Sequence, residues 1–216
     1  MNVLVRLVAV PIAVTAVLSA AVFPGAGSAI ADPPPTQVVT TVAVGPDGQA
    51  INGYQEAPPQ GNVPTVTCTS PSPSAVAANI YYCSPSAAGA GTCWPSTPGS
   101  LLCVDNPWDK SLHRVTYGGP LPPVQPTASP DPFALLLDDG TRCLFRNGGA
   151  WGWRDDGYEG AYYCGNLAVL WLPSQGPGTC IDRSGPVWTV KVGELGAPGT
   201  SPPQTRAVTT AWLAGD

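Results

Sequence analysis

The sequence predicts an all-β fold: two small disulfide-bonded antiparallel β units joined by a proline-rich linker. Short runs rich in valine, tryptophan, threonine and tyrosine alternate with turn residues, as in strands separated by loops. The 27 prolines and 25 glycines interrupt every run before it reaches helical length, and no run shows a sustained 3.6-residue apolar period. Seven cysteines, none of them before Cys68, supply the expected crosslinks.

Residues 1–31 predict a secretory signal peptide. Arg6 precedes an apolar stretch over residues 7–23, and the small residues Ala29-Ile30-Ala31 favour cleavage before Asp32. A membrane anchor is the alternative, but it needs about 20 strongly apolar residues, and this stretch contains proline and polar residues. We therefore expect a protein secreted to the medium or cell wall, with no membrane span after cleavage.

The charge of the chain argues against nucleic acid as a partner. Nine basic and fourteen acidic residues give a net charge of −5, and the basic residues are dispersed along the chain. Loss of the signal peptide removes one base and no acid, which makes the exported part more acidic still. A phosphate backbone repels such a surface.

The cysteines predict disulfides rather than a metal site. An oxidising compartment lets disulfides persist. No Cys-x-x-Cys pair occurs and His113 is the single histidine, so a zinc site has no plausible ligand set. No metal and no cofactor are predicted.

Pairing neighbours in sequence closes short loops, each worth about 3 kcal/mol on the chain-entropy model. This predicts the disulfides Cys68–Cys83, Cys93–Cys103 and Cys143–Cys164, with Cys180 as the free thiol. Sequence alone does not fix connectivity. A bond between Cys103 and Cys180 would instead merge the two halves.

The predicted organisation follows composition. Residues 32–64 form a flexible Pro/Gly-rich N-terminal arm, 65–117 a cysteine-rich β unit, 118–132 the proline-rich linker and 133–216 a β domain. Within the last, Asp139-Gly140 predicts a tight hairpin turn. Tyr81-Tyr82-Cys83 recurs as Tyr162-Tyr163-Cys164, which indicates either a duplicated cysteine-edged hairpin or coincidence.

No catalytic motif stands out. His113 has Asp105, Asp109 and Ser111 nearby in sequence, and Cys103 as a possible nucleophile, but neighbours on one strand or loop do not converge on a reacting atom. No Gly-x-Ser-x-Gly elbow occurs. A surface histidine is the favoured interpretation.

Two acidic pairs precede glycine, at Asp138-Asp139 and Asp155-Asp156. Paired carboxylates ligate calcium or divide acid and base roles in glycoside hydrolysis, but both need defined separations in space. Asp-Gly is first of all a turn signal. We expect structural turns.

Residues 147–165 carry the clearest candidate ligand site. Aromatic faces stack on sugars or apolar ligands, and charged groups beside them supply hydrogen bonds. The candidate residues are Trp151, Trp153, Arg154, Asp155, Asp156 and Tyr158. The alternative, which we favour, is a strand whose two tryptophans share one core-facing side.

The runs PFALLLDDGTRCLFRNGGAWGWRDDGYEGAYYCG, CIDRSGPVWTVKVGELGAP and AVTTAWLAG, with GTCWPS, LLCVDNPW and TYGGPLPP, carry a family resemblance. Over residues 65–214 the chain resembles a group of exported proteins of mycobacteria and related actinobacteria that carry no assigned function. The resemblance implies a secreted, disulfide-bonded protein of the cell envelope or medium. It implies no activity.

The expected function is that of a non-catalytic secreted or envelope protein, with an envelope glycan or another envelope protein as candidate partner. A secreted hydrolase using His113 or the acids of residues 138–159 is one alternative. A structural partner protein that forms an intermolecular disulfide through Cys180 is another.

Overall fold

A computed structural model describes residues 33–59, 61–149, 152, 154–175, 180–196 and 198–216. Residues 33–216 form one compact unit. Its described part is β structure with two 3₁₀ turns, Ser86–Ala88 and Pro173–Gln175. The all-β prediction is therefore confirmed, and both of its sheets close into barrels.

The first barrel has five strands, closed by pairing of β7 with both β3 and β6. The strands are β3 (Thr65–Pro71), β4 (Tyr81–Ser84), β5 (Cys93–Pro95), β6 (Ser100–Asn106) and β7 (Ser111–Tyr117), after β1 (Gln37–Thr41) and β2 (Gln55–Glu56) in the chain. Neighbours are antiparallel except at the closing pair, where β3 runs parallel to β7. Strand β2 extends the sheet alongside β7.

The second barrel is a six-stranded meander that closes where the last strand meets the first. Its strands are β8 (Ala134–Leu137), β9 (Arg142–Phe145), β10 (Glu159–Cys164), β11 (Leu167–Trp171), β13 (Trp188–Gly193) and β14 (Gln204–Ala214), with β12 (Ile181–Asp182) on the edge of β13. The β8–β9 turn is the predicted hairpin. Gly140 there has a φ of +83°, which suits glycine.

The three predicted disulfides are present, and Cys180 is free. Each bond joins two neighbouring strands inside one barrel: β3 to β4, β5 to β6, and β9 to β10. All six half-cystines are buried among the barrel core residues. The disulfides therefore take a place in the core that larger apolar side chains would otherwise fill.

A third apolar cluster lies between the barrels and belongs to both. Leu102, Val104 and Leu112 of the first barrel pack with Phe133 and Ala134 of the second. Nearby, Trp108 and Trp212 meet edge to face at 6.2 Å across the same boundary. The two predicted units are thus two barrels with one shared core.

The predicted flexible arm over residues 32–64 is wrong for its described residues. Strand β1 pairs in parallel with β14, and Ala43, Val44 and Tyr54 are buried in the shared core. The long β14 offers an edge that the valine-threonine run satisfies with ladder hydrogen bonds. Low local hydrophobicity suggested disorder, but pairing with a distant strand overrides that preference.

The proline-rich segment 118–132 connects the barrels and is fastened to both. The buried hydroxyl of Tyr81 donates to the carbonyl of Pro122 at 3.0 Å, and that of Tyr162 donates to Pro132 at 2.8 Å. Val124 packs into the core of the first barrel. The repeated Tyr-Tyr-Cys motif thus performs the same anchoring role twice.

Candidate functional site

The clearest candidate binding site is the mouth of the second barrel, at the end opposite its β8–β9 and β10–β11 turns. Phe145 lies two residues after the core residue Cys143 on β9, and Trp171 two residues after the core residue Val169 on β11. Side chains two apart on a strand share a face. The two rings therefore continue the inner wall of the barrel to its rim.

The mouth holds a cavity of about 290 Å³. Its lining combines two aromatic rings with small residues and a polar rim: Phe145, Trp171, Gly160, Ala161, Asp131, Arg146 and Cys180. The fully buried Tyr162 supports Phe145 from below in an edge-to-face contact at 5.2 Å. An apolar cavity with a few convergent polar groups is the usual form of a small-ligand site.

The rim charges are held by neighbouring groups. Asp131 accepts a hydrogen bond from Arg183 Nη2 at 2.9 Å, and the guanidinium of Arg183 stacks over Trp188 at 4.9 Å. Burial raises the pKa of Asp131, although the Arg183 charge opposes that shift. Arg146 donates to the carbonyls of Gly149 and Gly160, at 2.7 and 3.3 Å. The Asp131 and Arg183 charges therefore compensate each other, and the Arg146 guanidinium is held by backbone carbonyls.

Cys180 is a protonated thiol at neutral pH. Burial raises its pKa to about 12, and the Asp131 carboxylate adds to the shift. Only a thiolate attacks a disulfide or an alkylating reagent. The environment of Cys180 thus opposes the intermolecular disulfide considered above.

We expect Cys180 in the folded protein to react with iodoacetamide at pH 8 more than about 100-fold slower than an unperturbed cysteine, whose pKa is about 8.5. Mass spectrometry after timed alkylation measures the rate. The control is the same protein in 6 M guanidinium without reductant, where the thiol should react at the ordinary rate. Equal rates in both conditions would show that the thiol is not protected.

Within residues 147–165, the segment predicted as a candidate ligand site, Arg154 holds loops of the protein together and is not exposed. Arg154 has no exposed side-chain surface and donates from all three nitrogens: to Asp156, to the Glu194 carbonyl at 2.9 Å and to the Ser201 carbonyl at 2.9 Å. The prediction that Arg154 meets a ligand is therefore wrong, because its hydrogen bonds hold the loops together.

The other described residues of the predicted ligand site, Asp155, Asp156 and Tyr158, lie on the turn after Arg154 and not on the wall of the cavity. Asp155 is exposed and accepts a hydrogen bond from Gly199 N at 3.4 Å, and Tyr158 is half-buried beside Asp156. Trp151 and Trp153 lie outside the described residues. The cavity adjoins this segment through Gly160 and Ala161, but its rings come from β9 and β11.

His113 is fully engaged. Its Nδ1 lies 2.6 Å from Asp105 Oδ1, and its Nε2 lies 3.0 Å from the carbonyl oxygen of Ala88. Both partners are acceptors, which favours a ring that donates from both nitrogens and carries a positive charge. Neither nitrogen is left to accept a proton, which a general base must do.

Ser111 and Cys103, the other side chains considered for catalysis with His113, already have partners in the structure. Ser111 donates to the second oxygen of Asp105 at 2.7 Å, and Cys103 is bonded to Cys93. The pKa of Asp105 is lowered: burial acts in the opposite direction, but the hydrogen bonds from His113 and Ser111 prevail. The cluster is a polar clasp that ties β6 and β7 to the turn at Ala88.

Stability should depend on the charge of His113. Burial lowers its pKa, but the Asp105 carboxylate and the Ala88 carbonyl outweigh that effect and raise it above about 6.5. The stabilisation is then complete below the unfolded pKa and is lost as pH rises through the folded value. NMR titration of this single histidine should give a pKa above 6.5.

Urea unfolding across the same pH range checks the energetic consequence. The wild type should lose stability as pH rises from about 6 to 9, and His113→Gln should remove that component of the pH dependence. A folded-state pKa at or below 6.5 would contradict a doubly donating ring.

The acidic pairs are turns, as expected. Asp138 and Asp139 both form ion pairs with Arg206, and Asp156 pairs with Arg154. Among the described residues, no group of histidine, cysteine, aspartate or glutamate side chains is arranged to hold a metal ion. In the same part of the chain, no helix is long and apolar enough to cross a membrane.

Fold and site together define a disulfide-bonded double-barrel protein with an open cavity at the mouth of its second barrel. No protein-family model, no curated protein and no solved structure matches the chain.

Proposed function

We propose that this is a secreted, non-catalytic binding protein of the cell envelope or medium, which holds a small ligand or the end of a glycan in the mouth of the second barrel. The cavity with Phe145 and Trp171 on its walls is the observation that carries the proposal. Barrel mouths are frequent ligand sites, and such sites commonly have volumes from about 300 Å³ upward. The mouth, at about 290 Å³, lies just below that range, which suits a single sugar unit or another small group.

Export is supported by the cysteines and the N-terminal sequence. Three disulfides suit an oxidising compartment. Residues 1–31 have the layout of a signal peptide, and the resemblance to exported actinobacterial proteins agrees with it. An envelope glycan is the natural candidate ligand for an aromatic cavity with a polar rim.

A hydrolase has less support. The one histidine donates from both nitrogens, and the nearest serine and cysteine are already bonded. The acids of residues 138–139 and Asp156 form ion pairs with arginines. Binding requires none of these groups to change its partner.

The test uses N-phenyl-1-naphthylamine, a neutral dye that fluoresces in apolar sites. We expect saturable binding with one dye per chain. Ala161→Trp should abolish it, because the new ring fills the cavity. Ala128→Trp adds the same ring at an exposed position outside the cavity and should leave binding unchanged. No saturable binding, or equal binding by both variants, would overturn the proposed site.

A further inference from the structure

Three depressions lie in a row on the protein. The first is the mouth. The second, which we call the seam cleft, has a volume of about 240 Å³ and lies where the barrels meet, between Tyr82 and Thr92 on one side and Leu144 and Asn147 on the other. It shares Phe145 with the mouth.

The third depression, which we call the proline groove, is the largest at about 480 Å³. It lies between Pro58, Pro59 and Pro64 on one side and His113 and Arg114 on the other. It shares Asp105 with the seam cleft and no residue with the mouth. The order along the surface is therefore mouth, seam cleft, proline groove.

The barrels are clasped beside the seam cleft. With its side-chain amide turned so that the oxygen faces the first barrel, Asn147 accepts from the backbone N–H groups of Ala90 and Gly91, each at 3.2 Å. Gly148 approaches Ser86 so closely that an added Cβ would lie 2.6 Å from the serine Cβ. The row of depressions is thus preorganised across two barrels, which lowers the entropy cost of binding.

The lining matches the surface of a sugar chain. The rings of Tyr82, Phe133 and Phe145 in the seam cleft stand among the polar side chains of Thr92 and Asp105. Sugar rings present apolar C–H faces that pack on aromatic rings, and hydroxyl edges that bond to polar groups. An alternation of both along a groove suits consecutive sugar units.

The charges favour a neutral polymer. The carboxylates in the row are each paired: Asp105 with His113 at 2.6 Å, Glu56 with Arg114 at 2.6 Å and Asp131 with Arg183 at 2.9 Å. The chain as a whole has a net charge of −5 at pH 7. A polyanion would meet an acidic protein in which the proline groove cations, His113 and Arg114, are already paired with carboxylates.

We propose that the protein binds an extended neutral oligosaccharide, with one end in the mouth and the following units along the seam cleft and the proline groove. This rests on the proposed function, because the mouth is the anchoring subsite. A peptide is the other linear polymer to consider, and it enters the test as a competing outcome.

The experiment measures calorimetric affinities for malto-, cello- and xylo-oligosaccharides of one to six units. In at least one series we expect affinity to rise about tenfold or more from one unit to four, equivalent to about 1.4 kcal/mol. Tyr82→Leu should weaken the four-unit chain about fivefold through loss of ring stacking. Asn62→Ala, at an exposed position of the proline groove, should weaken only the six-unit chain.

The matched control is Tyr163→Leu, which alters the exposed tyrosine at the corresponding position of the second Tyr-Tyr-Cys motif, away from the three depressions. Thermal unfolding confirms that each variant is folded. Dye binding at the mouth with no length dependence in any series would overturn the extended site and leave the mouth standing. A neutral hexapeptide that displaces the dye better than any sugar chain would also overturn it. Absence of dye binding would instead overturn the proposed function.

Discussion

Replacing Cys143 and Cys164 together with alanine is expected to destabilise the protein by about 3 kcal/mol, the value for closing a loop of this size. The bond joins β9 to β10 below the mouth, and both half-cystines are buried in the barrel core. Loss of the crosslink enlarges the unfolded ensemble, and the missing sulfur atoms leave a small void. Urea unfolding of the purified variant measures the change.

The control for this variant is Cys180→Ala, which removes a sulfur near the same barrel and leaves all three bonds intact. Cys180→Ala should lower the free energy of unfolding much less than the double replacement of Cys143 and Cys164 does. A double variant as stable as the wild type would show that the crosslink is redundant. An unchanged melting temperature after full reduction would contradict the account of how a chain so rich in proline and glycine stays folded.

Arg154→Met should lower the free energy of unfolding by about 1.5–3 kcal/mol, the range for hydrogen bonds to charged groups. The methionine keeps most of the buried stem, but the carbonyls of Glu194 and Ser201 lose their donor. These bonds hold the β13–β14 loop against the turn after residue 154. Chemical denaturation measures the loss, and hydrogen exchange should locate it in residues 194–201.

Asp156→Asn distinguishes the contribution of the Arg154–Asp156 ion pair from that of the Arg154 hydrogen bonds to the carbonyls of Glu194 and Ser201. The Asp156 carboxylate is exposed, so water replaces much of what it gives Arg154. We expect a much smaller effect than that of Arg154→Met, with normal exchange in the β13–β14 loop. Equal effects of the two variants would mean that the ion pair, rather than the carbonyl contacts, holds the loop.

The sequence predicted the features that depend on local pattern. Short β-favouring runs between turn residues indicated the all-β fold, Asp139-Gly140 marked a hairpin, and proximity along the chain paired the cysteines correctly. Each of these features depends on residues no more than about 20 positions apart, and the entropy cost of closing a loop is smallest at such short separations.

Long-range features were not predictable in the same way. The pairing of β1 with β14 joins residues at opposite ends of the chain, and the parallel closure of the first barrel leaves no local signal. Arg154 has the chemistry of a ligand contact, and only tertiary structure shows that its donors are used internally. The mouth was missed because Phe145 and Trp171 stand on different strands, although each continues a core-facing alternation that a strand-by-strand assignment would reveal.

A crystal structure of the protein soaked or co-crystallised with N-phenyl-1-naphthylamine would show whether the mouth is the binding site. We expect the dye between the rings of Phe145 and Trp171, over Ala161, with the Asp131–Arg183 pair unbroken. Dye bound elsewhere, for instance against the exposed Val38 or Val76, with the mouth left empty, would contradict it.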